Sequence, residues 1–405
     1  MQNHNLGILY CYEMKKIMKR KLVWATMFFC LVGVIVAVCS GLMGNYYVDG
    51  EFRDTHYHMY QVDRQYMEAL SGRVVDQQLL TQMEEAYAMI PPGAERYTLT
   101  EEYQTYARPY SEIFNLVRTW TGMKMEEVKA WEADEQALYR MRQENLEKEW
   151  RDAMLTEKEK AFWREKEAQI DKPVTYLYYD GLGRCAVHFV PTIGVLTLLF
   201  VAVSLSGIFA EEHTRRTDQL ILTGAKGKST AYYAKILAGI SFAALGTLVM
   251  ETLTVILALS LYGAGGFEAV FQLAYAGYSY PLTVGQACLI EYGIIIVTAV
   301  AGGVFVMVLS EALHNSLATL AICSGWIIAG MMIHIPEQSR VLCQIWNWQP
   351  SNFLAVRNIF DERTIPLFGR CLVSWQIVPA LYLFFALLAV ALGIRVYRRY
   401  QVSGR

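Results

Sequence analysis

Six charge-poor apolar stretches, each of about twenty residues, constrain this 405-residue chain more than any other feature. A helix rises ~1.5 Å per residue and a bilayer core is ~30 Å thick, so roughly 20 helical residues span it. The stretches cover residues 22–42, 189–209, 236–261, 289–309, 317–335 and 377–394. The first, second, fifth and sixth contain no Asp, Glu, Lys or Arg, and the third and fourth contain one acid each, Glu251 and Glu291. One such stretch reads as a buried core helix, but six argue against a soluble fold. The expectation is an all-α integral membrane protein with six transmembrane helices. The first stretch follows Lys15, Lys16, Lys19, Arg20 and Lys21, as a signal peptide would. Its length exceeds the ~7–15 apolar residues of a signal peptide, so it reads as a retained anchor.

The near-neutral net charge of −2 conceals a segregation. Residues 43–188 hold 18 basic and 27 acidic residues, a net of −9. The pieces 1–21, 210–235, 310–316 and 395–405 hold 14 basic and 5 acidic residues, a net of +9. Lys and Arg near span ends stay on the cytoplasmic side. The expected arrangement is therefore a multi-pass protein of the plasma membrane with both termini cytoplasmic. Residues 1–21 read as an amphipathic surface segment, 22–42 as the first span and 43–188 as a mainly helical extracellular domain. Residues 189–335 carry spans two to five, 336–376 form a last outer loop, and 377–405 form the sixth span with a basic tail. Both surface segments and spans would touch the lipid bilayer.

Within the outer block, good helix formers fill residues 123–172, where Gly and Pro are absent. The pattern S/T-x-x-E at Thr98–Glu101 and Thr156–Glu159 predicts two capping boxes, the second breaking a long helix near Leu155. An earlier helix is expected over about 63–88, ended by Pro91-Pro92-Gly93. Trp131, Leu138, Met141, Trp150, Phe162 and Trp163 are candidate packing residues. Residues 174–188 alternate weakly around Asp180-Gly181 and suggest a hairpin.

The segment 210–235 combines charges, an apolar Leu220-Ile221-Leu222 run and a basic turn. Gly227-Lys228-Ser229 imitates part of a phosphate loop, but Leu222 stands where that motif needs its first glycine, and no strand precedes it. Glu212, Thr217, Leu220-Ile221-Leu222-Thr223 and Lys228 resemble the E-x-x-x-G-T-x-x-L-L-x-T-x-P-x-x-R/K pattern of permease subunits of ABC transporters of the second type. Arg216 and Ala225 depart from it, standing for its Gly and Pro. The basic N-terminal segment, six spans and Gln349-Pro350-Ser351-Asn352-Phe353 extend the resemblance.

That resemblance implies an elbow helix before the first span, re-entrant helices in the last outer loop and a coupling helix that docks on a separate ABC ATPase subunit. The implied docking residues are Glu211, Glu212, Arg215, Arg216, Thr217, Leu220, Ile221 and Leu222. It also implies a second permease copy or a related permease, with ATP and Mg on the ATPase and no cofactor on this chain. The substrate expected is hydrophobic or amphipathic.

Glu251 and Glu291 are candidates for a translocation path, because a charge inside a span is costly and usually functional. No nucleophile, zincin or other enzyme signature appears, so no catalytic or metal residue is assigned and no nucleic-acid partner is expected. His56-Tyr57-His58 lacks further ligands at metal spacing, and His213 and His314 have no obvious partner. Cys343 and Cys371 share the last outer loop and could pair there. The expected function is an ATP-driven exporter permease. The alternative is a receptor whose outer domain binds a ligand such as a cationic peptide.

Overall fold

The computed structural model describes residues 2–91, 97–217, 229–367 and 369–399. Helices dominate them, and the only named strands among them form two short hairpins. Five helical stretches are long and apolar enough to cross a membrane: Lys21–Leu42, Asp180–Thr214, Thr230–Tyr262, Val284–Leu313 and Ser374–Arg398. This is consistent with an all-α membrane protein. The expected fifth span forms the helix Ser316–Met332, whose 17 residues reach only about 25 Å. The six-span expectation is thus realised as five full-length apolar helices and one shorter one. Along Lys21–Cys39, Trp24, Phe28, Phe29, Val32, Ile35 and Val36 face outward, a surface suited to an apolar solvent.

The chain divides into two compact units. One comprises Met1–Ile35, His188–Thr254 and Ile290–Arg405, and the other Val36–Val187 and Val255–Leu289. The second therefore contains most of the polar block plus residues 255–289, which the apolar pattern alone places with the membrane portion.

In this second unit Asn45–Val48 pairs with Glu51–Thr55 across Asp49-Gly50, both left-handed (φ 47° and 83°), as a two-residue hairpin turn requires. The helix expected over 63–88 is instead two, His56–Leu70 and Gln77–Ala88. Gly72 turns left-handed between them, and the Asp76 carboxylate accepts from Leu79 N at 2.9 Å to start the second. The Thr156 box forms as predicted: Thr156 N donates to Glu159 Oε2 at 2.8 Å, and the long helix breaks into Glu135–Asp152 and Glu157–Glu167. At the other site Thr100, rather than Thr98, accepts from a backbone amide, that of Tyr103. Leu138, Trp150 and Trp163 are buried as expected, while Trp131, Met141 and Phe162 keep part of their surface.

The hairpin expected over 174–188 is replaced by a helical turn, Asp180–Arg184. Its Gly181 serves close approach: a Cβ there would lie 2.0 Å from the Gly263 carbonyl oxygen. Arg142 organises the same unit. It is 2% exposed, pairs with Glu167 at 3.0 Å, and donates to the Ala276 and Tyr278 carbonyls at 2.6 and 3.2 Å. Its guanidinium also lies 4.6 Å from the Trp120 ring centroid, and Trp120 Nε1 donates to the Gln272 carbonyl. These bonds tie residues 272–278 to the polar block.

Burial, then the carboxylates of Asp180 and Asp63, push the Glu112 carboxyl up to about 7, although Arg184 opposes them. An acid whose folded value is raised contributes stability that is complete below its unfolded value, near 4.5, and is lost as pH rises through 7. Thermal melts of the purified protein between pH 5 and 8 should therefore show a decline that Glu112→Gln flattens, with the variant more stable than wild type at pH 8.

Candidate functional site

The basic link and the N-terminal helix meet in a buried ion cluster. On the helix Gln2–Met18, Glu13 and Lys16 are three residues apart and share a face. The single turn Ala210–Thr214 supplies Glu211 and Glu212, and the helix Thr230–Tyr262 supplies Lys235. The Lys235 ammonium is fully buried, 2.6 Å from Glu212 Oε1 and 2.9 Å from Glu13 Oε2. Lys16 donates to the same Glu212 oxygen and lies 3.7 Å from Glu13. Burial lowers the Lys16 ammonium, but Glu212 and then Glu13 outweigh it and hold Lys16 above its ordinary value.

Arg20 extends the cluster. It donates to the Ser204 and Gly207 carbonyls at 3.1 and 2.9 Å. It also pairs with Glu211 at 3.3 Å. Three acids thus balance three bases, the condition under which charges can be held out of water. Beside them Tyr12, Lys15, Lys19 and Arg215 help to line a basic cavity of about 410 Å³.

The residues expected to dock a partner therefore separate into two groups. Glu212 is buried and engaged with Lys16 and Lys235, so it is an anchor from within the fold. Arg215, Arg216 and Thr217 are exposed, and Thr217 N returns to the Glu212 carbonyl at 3.0 Å. Leu220, Ile221 and Leu222 lie outside the described residues. Glu13, Lys16 and Lys235 were missed as a site because their spacing in sequence carries no motif. Only the coincidence of a lysine early in an apolar helix with a basic N-terminal helix hinted at them.

Glu251 and Glu291 are both fully buried. Thr252 Oγ1 and Tyr292 Oη share a hydrogen bond of 2.6 Å, and Tyr292 donates to the Leu248 carbonyl at 3.3 Å. The residues following the two acids thus touch, which sets the acids at one level on neighbouring helices. Neither carboxylate oxygen of Glu251 has a hydrogen-bond partner among the described residues. Such a group carries the cost of leaving water with no bond in return.

In the last loop, Arg340–Asn347, Pro350–Phe353 and Val356–Ile359 are short helices. Gln349 Oε1 caps the second by accepting from Asn352 N at 3.0 Å, while Ser351 and Gln349 donate to the Ile327 and Trp326 carbonyls. The Gln349–Phe353 motif is therefore a buried polar fastening to Ser316–Met332. Cys343 and Cys371 are free thiols, one buried and one exposed. His56 and His58 begin a helix, where His58 pairs with Asp54.

Removing Lys235 would leave Glu13 and Glu212 buried around Lys16 alone. Lys235→Met should cost about 3–5 kcal/mol of stability, and Glu212→Gln added to it should recover part of that loss. A double-mutant cycle on thermal melts in detergent checks this, and strict additivity would refute a shared cluster. Comparison of the chain with protein-family models, curated proteins and solved structures finds no match.

Proposed function

We propose that the chain is the membrane-spanning permease subunit of an ATP-driven ABC exporter. In this reading the chain has six spans, cytoplasmic termini and an extracellular helical block, and it works in the plasma membrane as a pair of permeases. A separate ATPase carries ATP and Mg, and the substrate is hydrophobic or amphipathic.

The observation that carries this reading is the construction of the link. An exposed Arg215-Arg216-Thr217 edge continues directly from a turn whose Glu212 is locked to two other helices. A push on such an edge is delivered to packed elements, as a coupling segment requires. The backbone offers a second support. Where the resembled pattern has glycine, Arg216 is left-handed (φ 55°), the region that glycine enters without steric cost. The buried level of Glu251 and Glu291 suits a path through which a polar or protonated group passes.

The receptor reading draws on the polar block, which has its own core around Arg142 and a net charge of −9. The two readings part on the ATPase. Co-expression with an ABC ATPase encoded beside this chain should yield a stable complex whose hydrolysis rises with substrate. Arg215→Glu with Arg216→Glu should retain at most about a tenth of the bound ATPase, a loss of ~1.4 kcal/mol. Equal capture by wild type and this variant, or no capture by either, overturns the docking role. Ligand binding to the outer block without any ATPase would favour the receptor.

A further inference from the structure

His213 and His314 stand 101 positions apart in sequence, yet their rings meet at a centroid distance of 4.0 Å. Glu311 completes the group: its Oε2 lies 3.1 Å from His213 Nε2. One potential ligand atom from each of the three residues lies within 4.8 Å of the other two. The Glu311 side chain is 1% exposed, and its Oε1 has no hydrogen-bond partner among the described residues.

We infer that His213, Glu311 and His314 form a binding site for a divalent first-row transition metal of the zinc class. Two imidazoles and a carboxylate are the donor set such ions prefer, and hard Mg²⁺ or Ca²⁺ would ask for more oxygen. Bonds of about 2.0–2.1 Å in a tetrahedron put ligand atoms about 3.3 Å apart. His213 and Glu311 already have nearly that separation, and the third ligand atom needs a shift of about 1.5 Å or less. Water fills the fourth position.

The walls of the site are tied independently of its ligands. Ser310 Oγ accepts from Ala210 N at 3.1 Å and donates to the Ser206 carbonyl at 2.6 Å. His314 sits in the turn before Asn315, which caps the next helix by accepting from Leu317 and Ala318 N. That turn holds His314 left-handed (φ 54°), a conformation costing a non-glycine residue roughly 1–2 kcal/mol. Glycine would fit there without strain, so the histidine is kept for what its ring does. Bound metal would replace the proton that His213 Nε2 shares with Glu311, and would clamp the Ala210–Thr214 turn to the end of Val284–Leu313.

The test uses the full chain, stripped with EDTA and purified in detergent. Zn²⁺ is followed by calorimetry and by metal analysis after gel filtration, and Co²⁺ by its visible absorption. Wild type should take up one Zn²⁺ per chain, with an EDTA-reversible rise in melting temperature. His314→Gly relieves the strained turn, so its metal-free melting temperature should equal or exceed wild type while Zn²⁺ affinity falls at least about 100-fold. Glu311→Gln should weaken binding similarly, and His56→Ala with His58→Ala should leave it intact. Absence of Zn²⁺ uptake by wild type overturns the inference. So does equal affinity in His314→Gly, or loss of binding only in the His56 and His58 variant.

Discussion

A lysine ammonium with no exposed surface, held between two carboxylates beside an apolar helix, sets the terms for the rest of this fold. Taking each such ion out of water costs several kcal/mol, and only close opposite charges repay it. Lys235 meets that condition with Glu13 and Glu212. The consequence is structural specificity. The N-terminal helix carries a matched pair, Glu13 and Lys16, so loss of either the Ala210–Thr214 turn or the start of Thr230–Tyr262 leaves an unmatched charge in the cluster. Arg20 repeats the logic on backbone carbonyls at the end of Val190–Leu205. A chain whose apolar helices find little to choose between lipid and protein thus gains its register at this end from charge.

How much of this was legible in the sequence varied with the range of the interaction. Apolar runs, the Thr156 capping box and the helix break near Leu155 are local, and they formed where expected. The split after Leu70 is also local: Gly72 turns left-handed and Asp76 caps the next helix. Asp180-Gly181 suggests a hairpin because a glycine needed for close packing looks the same in sequence as a glycine needed for a turn. What close packing required was the Gly263 carbonyl, 82 residues away. The fifth apolar stretch forms only a short helix: Ser316–Met332 ends before the charge-poor run does, at the extended residue Ile333.

The candidate sites follow the same division. Arg215, Arg216 and Thr217 could be named from one segment. Glu13, Lys16 and Lys235, and the trio His213, Glu311 and His314, exist only because distant segments converge. Helical spacing pairs Glu13 with Lys16 and Glu311 with His314, but no spacing rule brings Lys235 or His213 to them. Arg142 in the other unit is the same kind of residue, one guanidinium tying Glu167, Ala276, Tyr278 and Trp120 across 158 positions.

Comparison of the buried acids separates fastening from function on physical grounds. Glu167 and Glu212 are enclosed but paired with Arg142, or with Lys16 and Lys235, so their charges have been accommodated by the fold. Glu251 is as deeply enclosed and has neither cation nor hydrogen-bond donor among the described residues. A structural glutamate without either is inferior to glutamine or leucine at the same place, because it carries the desolvation cost and returns no bond. The same reasoning applies to His314, held in a conformation that glycine would adopt freely. Residues that a fold tolerates at a loss are the ones whose chemistry something else uses. In the proposed exporter, Glu251, at the level of Glu291, is where a passing proton or polar group would find a buried acceptor that no cation already holds.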